Sequence, residues 1–210
     1  MKILHVYARS NLELTIPDEV LATLPKGLGI VSTIQHTHKL DKILEKTQGV
    51  LAGQILGCRT EEAEKIAHKV SGFLYIGDGH FHPLAIVINM GKPVWCWNPR
   101  TQKLSQLTEK DFGNFLTQRK AALTRFLMSN TIGIIVSTKS GQNSIRRARE
   151  LMQRKDKKYY LFAVDTLDYT MLQNFPFIEC WVNTACPRIV DEKPEYVNID
   201  QVLALKPVNA

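Results

Sequence analysis

Gly29-Ile30-Val31-Ser32-Thr33 and Gly133-Ile134-Ile135-Val136-Ser137-Thr138 are nearly the same phrase written twice in one chain. Each is a run of glycine and β-branched residues closing on Ser-Thr, the pattern of a strand buried on both faces. A polar stretch follows each, Gln35-His36-Thr37-His38 in one case and Lys139-Ser140-Gly141-Gln142 in the other, and then a helical pattern. Pro83 comes 54 residues after Gly29 and Pro187 comes 54 after Gly133, both prolines closing a loop behind a strand. A repeated order of strand, helix, strand and proline loop implies two homologous units rather than one continuous sheet.

Working outward from the first phrase, residues 2–7 read as a strand and 11–21 as an extended entry to a short helix. Residues 39–47 read as a helix carrying Leu40, Ile43 and Leu44, and 50–56 as a strand that ends at Cys58. Residues 60–70 repeat Ala63, Ile66, Ala67 and Val70 at helical spacing, with Thr60 placed to cap and Glu61 and Glu62 suiting the helix dipole. A strand at 72–76, a helix at 84–90 and a strand at 93–97 complete this half. The second half reads as a long helix at 112–128, a strand at 132–138, a helix at 144–154, a strand at 159–164, and a segment 177–182 leading to Cys186. Strands alternating with helices mean parallel pairing with right-handed crossovers. The fold class is therefore α/β, as two tandem homologous domains, each a small, mainly parallel sheet flanked by helices. The domains span 1–104, with Cys58, and 105–210, with Cys186, divided in the polar, turn-rich stretch from Thr101 to Thr108.

With 210 residues and 44% hydrophobic content the chain buries a substantial core, and disorder is excluded. The N-terminal apolar stretch is broken by His5 and ended by Arg9, too short and polar for a secretory leader, and no run is long enough to span a bilayer. Four cysteines in such a chain point to reducing cytoplasm and to thiol or metal use, not to a disulfide framework. The net charge of +7 suits an anionic partner only if the charge is clustered. The densest basic stretch, Arg146 to Lys158, reads as the solvated face of a helix and its exit turn.

Cys58 closes Gly53-Gln54-Ile55-Leu56-Gly57-Cys58 and Cys186 sits in Val182-Asn183-Thr184-Ala185-Cys186-Pro187-Arg188. A thiol in a loop behind a strand's C-terminal end stands where α/β proteins place chemistry, so a shared metal or cluster is the first idea to test. Neither belongs to a local Cys-x-x-Cys pair, and isolated cysteines commonly pack as small hydrophobes. That core reading is the one for Cys96, between Trp95 and Trp97, and for Cys180, before Trp181. Gly77-Asp78-Gly79-His80-Phe81-His82-Pro83 offers a His-x-His pair with Asp78, which in other settings holds a metal. No further histidine cluster completes that ligand set, and the favoured reading is a glycine-permitted turn facing a ligand. Lys139-Ser140-Gly141-Gln142 links a strand to a helix where backbone N–H groups could meet an anion. It is neither a Walker A loop nor a Rossmann fingerprint.

Four of these stretches taken in order, residues 53–58, 75–83, 136–142 and 182–188, resemble the diphthamide-synthesis family over essentially the whole chain. In its archaeal members the resemblance implies 2-(3-amino-3-carboxypropyl)histidine synthase activity. Such an enzyme uses a [4Fe-4S] cluster and S-adenosylmethionine to place a 3-amino-3-carboxypropyl radical on a histidine of elongation factor 2. The family fold implied is three similar α/β domains around one cluster, each giving a cysteine. Cys58 matches the middle domain's ligand and Cys186 the last domain's, while the family's first domain is absent from this chain. The resemblance implies that Gln35, Gln54, Gly77, Asp78, Gly79, His80, His82, Lys139, Gly141, Gln142, Asn183 and Thr184 line the substrate site. It further implies a partner chain supplying the missing domain and third cysteine, in a homo- or hetero-oligomer, with no membrane association. Other readings are a fragment of a longer gene, a non-catalytic or degenerate subunit supporting another chain's cluster, a metal hydrolase using His80 and His82, and a nucleic-acid-binding module suggested by charge alone.

Overall fold

The structure is a computed structural model that describes residues 4, 6–57, 59–190 and 195–205. Cys58 therefore lies outside the described residues. The chain divides into two compact units, 1–112 and 113–210. This division falls later than the polar stretch at 101–108. That stretch is not a linker: β5 (Lys103–Gln106) turns back antiparallel onto β4 (Val94–Asn98), and Leu107 is buried in the first unit's core.

The first sheet has the order β2-β1-β3-β4-β5, with β1 (Leu28–Ser32), β2 (Val50–Gln54) and β3 (Gly72–Ile76) parallel to one another and to β4. Alternate side chains of one strand enter two different cores, as the period-2 geometry of a strand demands. Val31, Phe73, Tyr75, Val94 and Cys96 face one way, against α3 (Glu61–Ile66) and α4 (Leu84–Met90). Leu28, Ile30, Leu74, Ile76 and Trp97 face the other, against α1 (Asp18–Leu21), α2 (Asp41–Thr47), Leu14 and Ile16. Thr60 precedes α3 but does not cap it: its hydroxyl donates to the Glu64 carboxylate at 2.6 Å and accepts from the Asn89 amide at 2.9 Å.

The second sheet has the order β7-β6-β8-β9, all parallel, from β6 (Thr131–Ser137), β7 (Lys158–Val164), β8 (Cys180–Asn183) and β9 (Tyr196–Asn198). Ile132, Ile134, Val136, Cys180 and Val182 pack against α5 (Glu109–Met128), α6 (Ile145–Met152) and α8 (Ile199–Leu203). Ile135, Trp181 and Tyr196 pack with Leu172 of α7 (Tyr169–Leu172) and with Ile178.

The duplication holds at atomic detail. In both units the second strand in sequence lies outside the first, and the third and fourth follow on its other side. Gly29 of β1 is in register with Phe73 of β3, and Gly133 of β6 with Trp181 of β8. A Cβ at Gly29 would come within 2.7 Å of the Phe73 ring, and one at Gly133 within 2.4 Å of the Trp181 ring. Each glycine is present because an aromatic ring on the neighbouring strand lies over it.

The strand expected at residues 2–7 does not form at Leu4, Val6 and Tyr7, which are exposed and unpaired, and residues 2, 3 and 5 lie outside the described set. Strands β5 and β9 and helices α7 and α8 were not legible, being three to five residues long. The basic stretch is partly structural. Arg147 pairs with Asp200, Arg154 donates to the Val202 and Leu205 carbonyls, and Lys157 donates to the Leu127 and Ser129 carbonyls. Among the described residues no helix is long and apolar enough to cross a membrane.

Candidate functional site

In the first unit the C-terminal ends of β1 and β3 open onto a cavity of about 200 Å³. Adjacent parallel strands bring their following loops together there, so residues 33–36 and 75–82 meet although far apart in sequence. From β1 come Thr33, Gln35 and His36; from β3 and its loop come Tyr75, Asp78 and His82. Arg100, just past β4, and Ser10 and Leu12 of the entry segment close the rim. Gln35, Asp78 and His82 were expected at a binding site. Ser10, Thr33, His36, Tyr75 and Arg100 were missed. Of these, His36 carried a signal as part of the polar run behind the first strand, and Tyr75 as the first residue of the stretch 75–83.

Two side chains lining this cavity are deeply buried, and each has a polar atom that makes no well-formed hydrogen bond. Tyr75 is fully buried and its hydroxyl is unpaired; His36 is 6% exposed and its Nδ1 is unpaired. Buried polar atoms are normally satisfied, so two such atoms at one cavity point to a ligand that completes them. Burial, reinforced by Cys96 and Asp78 and opposed by the neighbouring Thr33 hydroxyl, pushes the Tyr75 phenol up, so it stays a donor at any physiological pH. Burial also lowers His36, against the opposing pull of Asp78 and with the help of His38 and Lys39. A neutral imidazole leaves one ring nitrogen able to accept.

At the mouth, Asp78 and Arg100 approach to 4.0 Å, both well exposed. Such a pair contributes little to stability and can be exchanged for ligand charges at small cost. The cavity lining thus brings together a carboxylate, a guanidinium and a phenol, a set that suits a small molecule bearing both an ammonium and a carboxylate. Gly77 makes room for Tyr75, since a Cβ there would lie 2.5 Å from the Tyr75 hydroxyl oxygen.

The neighbouring histidine turns elsewhere. His80 meets the Ser105 hydroxyl at 3.0 Å, whereas His82 lines the cavity, so the pair does not converge as a chelate. Among the described residues no group of three or more His, Cys, Asp or Glu is placed to hold a metal ion. Gln54 ends β2, half-buried and in register with Ser32. Just before it Gly53 adopts a left-handed φ of +88° where the β1–β2 register slips, bending the strand's exit. Gly79 likewise takes a left-handed φ in the turn between Asp78 and His80.

In the second unit, Lys139, Gly141 and Gln142 lie in an exposed loop behind β6, closed by Gln142 N–H donating to the Lys139 carbonyl at 3.1 Å. Asn183 and Thr184 are buried and engaged within the fold. The Thr184 hydroxyl donates to the Ile135 carbonyl at 2.9 Å, and Asn183 uses both ends of its amide on nearby groups. They shape the loop that presents Cys186.

The described cysteines separate into two kinds. Cys96 and Cys180 are buried, and burial pushes each thiol up to about 12, which keeps them protonated and unfit as thiolate ligands. Cys186 is half-buried in a loop behind β8 and unbonded to another cysteine. It alone among the described cysteines has the exposure a ligand needs. The described residues thus offer one thiol, Cys186, of the kind an iron–sulfur group takes as a ligand.

Fold and site together define a duplicated α/β protein with a polar pocket in one unit and a loop-held thiol in the other. The chain belongs to the diphthamide synthesis protein family, whose sequence model matches residues 1–197. It is 30% identical over 188 residues to 2-(3-amino-3-carboxypropyl)histidine synthase of Methanocaldococcus jannaschii, covering 87% of this chain and 49% of that protein. It is 23% identical to subunit 1 of the same synthase from Encephalitozoon cuniculi, covering 90% of this chain and 58% of that protein. The crystal structure of Dph2 from Pyrococcus horikoshii with a 4Fe-4S cluster superposes with a TM-score of 0.71 at 25% identity, covering 86% of this chain and 57% of that one. The chain spans about half the length of the curated relatives it matches.

Proposed function

We propose that this chain takes part in the first step of diphthamide biosynthesis, moving a 3-amino-3-carboxypropyl group from S-adenosylmethionine to a histidine of elongation factor 2. Cys58 and Cys186 would each give a thiolate to a [4Fe-4S] cluster, and a partner polypeptide would supply the third. When bound, the cluster supplies the electron that breaks a sulfur–carbon bond of S-adenosylmethionine. The observation that carries this reading is the family match over residues 1–197, joined to the exposure of Cys186 where Cys96 and Cys180 are sealed. The match to about half of the relatives' length motivates the partner.

The group transferred is itself an α-amino acid end, and the first unit's cavity suits that end. At about 200 Å³ it falls below the roughly 300–1,000 Å³ of pockets that enclose whole drug-sized ligands, so it would take the amino acid end alone. Asp78 would receive the ammonium, while Arg100 and the Tyr75 hydroxyl would hold the carboxylate. The remaining residues assigned by resemblance, from Gln54 and Gly79 to Lys139, Gly141 and Gln142, would meet the rest of the co-substrate or the protein substrate.

The test is anaerobic reconstitution with iron and sulfide, of the chain alone and with the half of a relative that it does not match. We expect poor cluster retention alone, rescue by the added half, and transfer of labelled aminocarboxypropyl to elongation factor 2. Unchanged iron content of that complex on Cys58→Ala and Cys186→Ala would overturn the assignment. A second reading, a subunit that supports another chain's cluster without catalysis, predicts iron binding without label transfer.

A further inference from the structure

The Cys186 loop is irregular, yet its backbone is held by two buried amides. Asn183, 1% exposed, ends β8 and is in register with Asn198, 6% exposed, which ends β9. The Asn183 Nδ2 donates to the Asn198 Oδ1 at 2.8 Å and to the Cys186 carbonyl at 3.0 Å, while its Oδ1 accepts from the Ala185 N–H at 3.1 Å. The Asn198 Nδ2 donates to the Pro187 carbonyl at 3.0 Å. One amide pair thus holds the carbonyl of the thiol-bearing residue, the carbonyl after it and the N–H before it. Pro187 narrows the choice further, because proline fixes its own φ and holds the preceding residue extended.

Asn198 also opens α8 in a capping box with Gln201, so its amide serves that helix as well as the loop. Cys180, at the start of the same strand, is held by apolar contacts, with one weak sulfur–carbonyl contact at 3.9 Å. A buried polar network worth keeping is one that specifies a unique geometry, and here the geometry specified is that of a half-exposed thiol. We propose that Asn183 and Asn198 form a positioning clamp that sets the direction of the Cys186 thiol before any cofactor arrives. As a statement about cluster binding this rests on the function proposed above; as a statement about the thiol it does not. A ligand held ready in its bound geometry gives up less freedom when the metal binds.

The test uses the full chain carrying Cys58→Ala and follows iodoacetamide labelling of each remaining cysteine by peptide mass spectrometry. In Asn198→Ala we expect Cys186 to label at least about fivefold faster, with Cys96 and Cys180 still protected and hydrogen exchange at the Ala185 amide accelerated. Asn198→Asp keeps the acceptor for Asn183 but loses the donor to Pro187, and should give an intermediate rate. A Cys186 rate within twofold of the parent in both variants overturns the clamp. So does labelling of Cys180 in step with Cys186 in both, which would mean the amides hold the sheet and not the loop. In protein reconstituted without the Cys58 substitution and with the added half of a relative, Asn198→Ala should shift the cluster's electron paramagnetic resonance signal. If Cys186→Ala leaves iron content unchanged, the cluster reading falls while the labelling result still decides the clamp.

Discussion

The hydroxyl of Tyr75 lies where a side chain on Gly77 would have to be: a Cβ there would sit 2.5 Å from the phenolic oxygen and 2.7 Å from the ring carbon that bears it. Tyr75 is fully buried and cannot swing aside. Gly77→Ala should therefore cost about 1–3 kcal/mol as overpacking and displace the loop that carries Asp78 from its place at the cavity. A lower denaturant midpoint with weakened binding of S-adenosylhomocysteine is the expected pair of results.

Tyr75→Phe separates binding from stability. The hydroxyl is buried and unpaired in the free protein, so its removal deletes an unsatisfied group and should leave the melting temperature unchanged or raise it. Affinity for S-adenosylhomocysteine should fall about five- to tenfold, the worth of one hydrogen bond of about 1–1.4 kcal/mol. Equal affinity in calorimetric titrations would remove the phenol from the binding site.

His36 should make the protein acid-sensitive. Its folded pKa is lowered from 6.5, first by burial and then by His38 and Lys39, against Asp78. As pH falls below 6.5 the unfolded chain takes up the proton first, so stability declines until the folded imidazole is protonated as well. His36→Gln should reduce the loss of melting temperature between about pH 7 and about pH 5, since the proton taken up only on unfolding is gone. An unaltered slope would mean His36 titrates alike in both states.

Gly29→Ala and Gly133→Ala should each destabilise by about 1–3 kcal/mol, because the added methyl meets the Phe73 ring at 2.7 Å or the Trp181 ring at 2.4 Å. The Gly133 change should be the larger. Trp181 packs in one cluster of rings with Phe162 and Phe175, with ring centroids at 4.8 and 6.4 Å, and has little room to retreat. Urea midpoints of the two variants measure this.

Much of the fold was legible because strand and helix signals are local. The runs around Ile30 and Ile134 contain nothing but small and β-branched residues, and the helix at Leu84–Met90 has a proline before it and a glycine after it. Short elements such as Tyr196–Asn198 escaped because their strand character comes from pairing with β8, not from their own composition. Thr60 looked like a cap, and the Glu64 carboxylate took its hydroxyl instead. Tyr75 was legible only as part of the strand at 72–76 and of the stretch 75–83, and its place at a cavity follows from a neighbour two residues on that has no side chain.

By itself the sequence determined the duplication, the two-faced strands and the sealed character of Cys96 and Cys180, because these depend on local periodicity and apolar context. Only the tertiary structure decided which loops share an end of the sheet. Parallel strands adjacent in space but distant in sequence put Thr33 to His36 beside Tyr75 to His82. The same strand order separates the two candidate ligand loops by type. Cys58 follows the edge strand β2, whereas Cys186 follows β8, whose counterpart in the first unit is β3, the strand that leads to Gly77 and His82. Strand pairing is a non-local choice, made by packing free energy summed over a whole sheet, and no single stretch of residues records it.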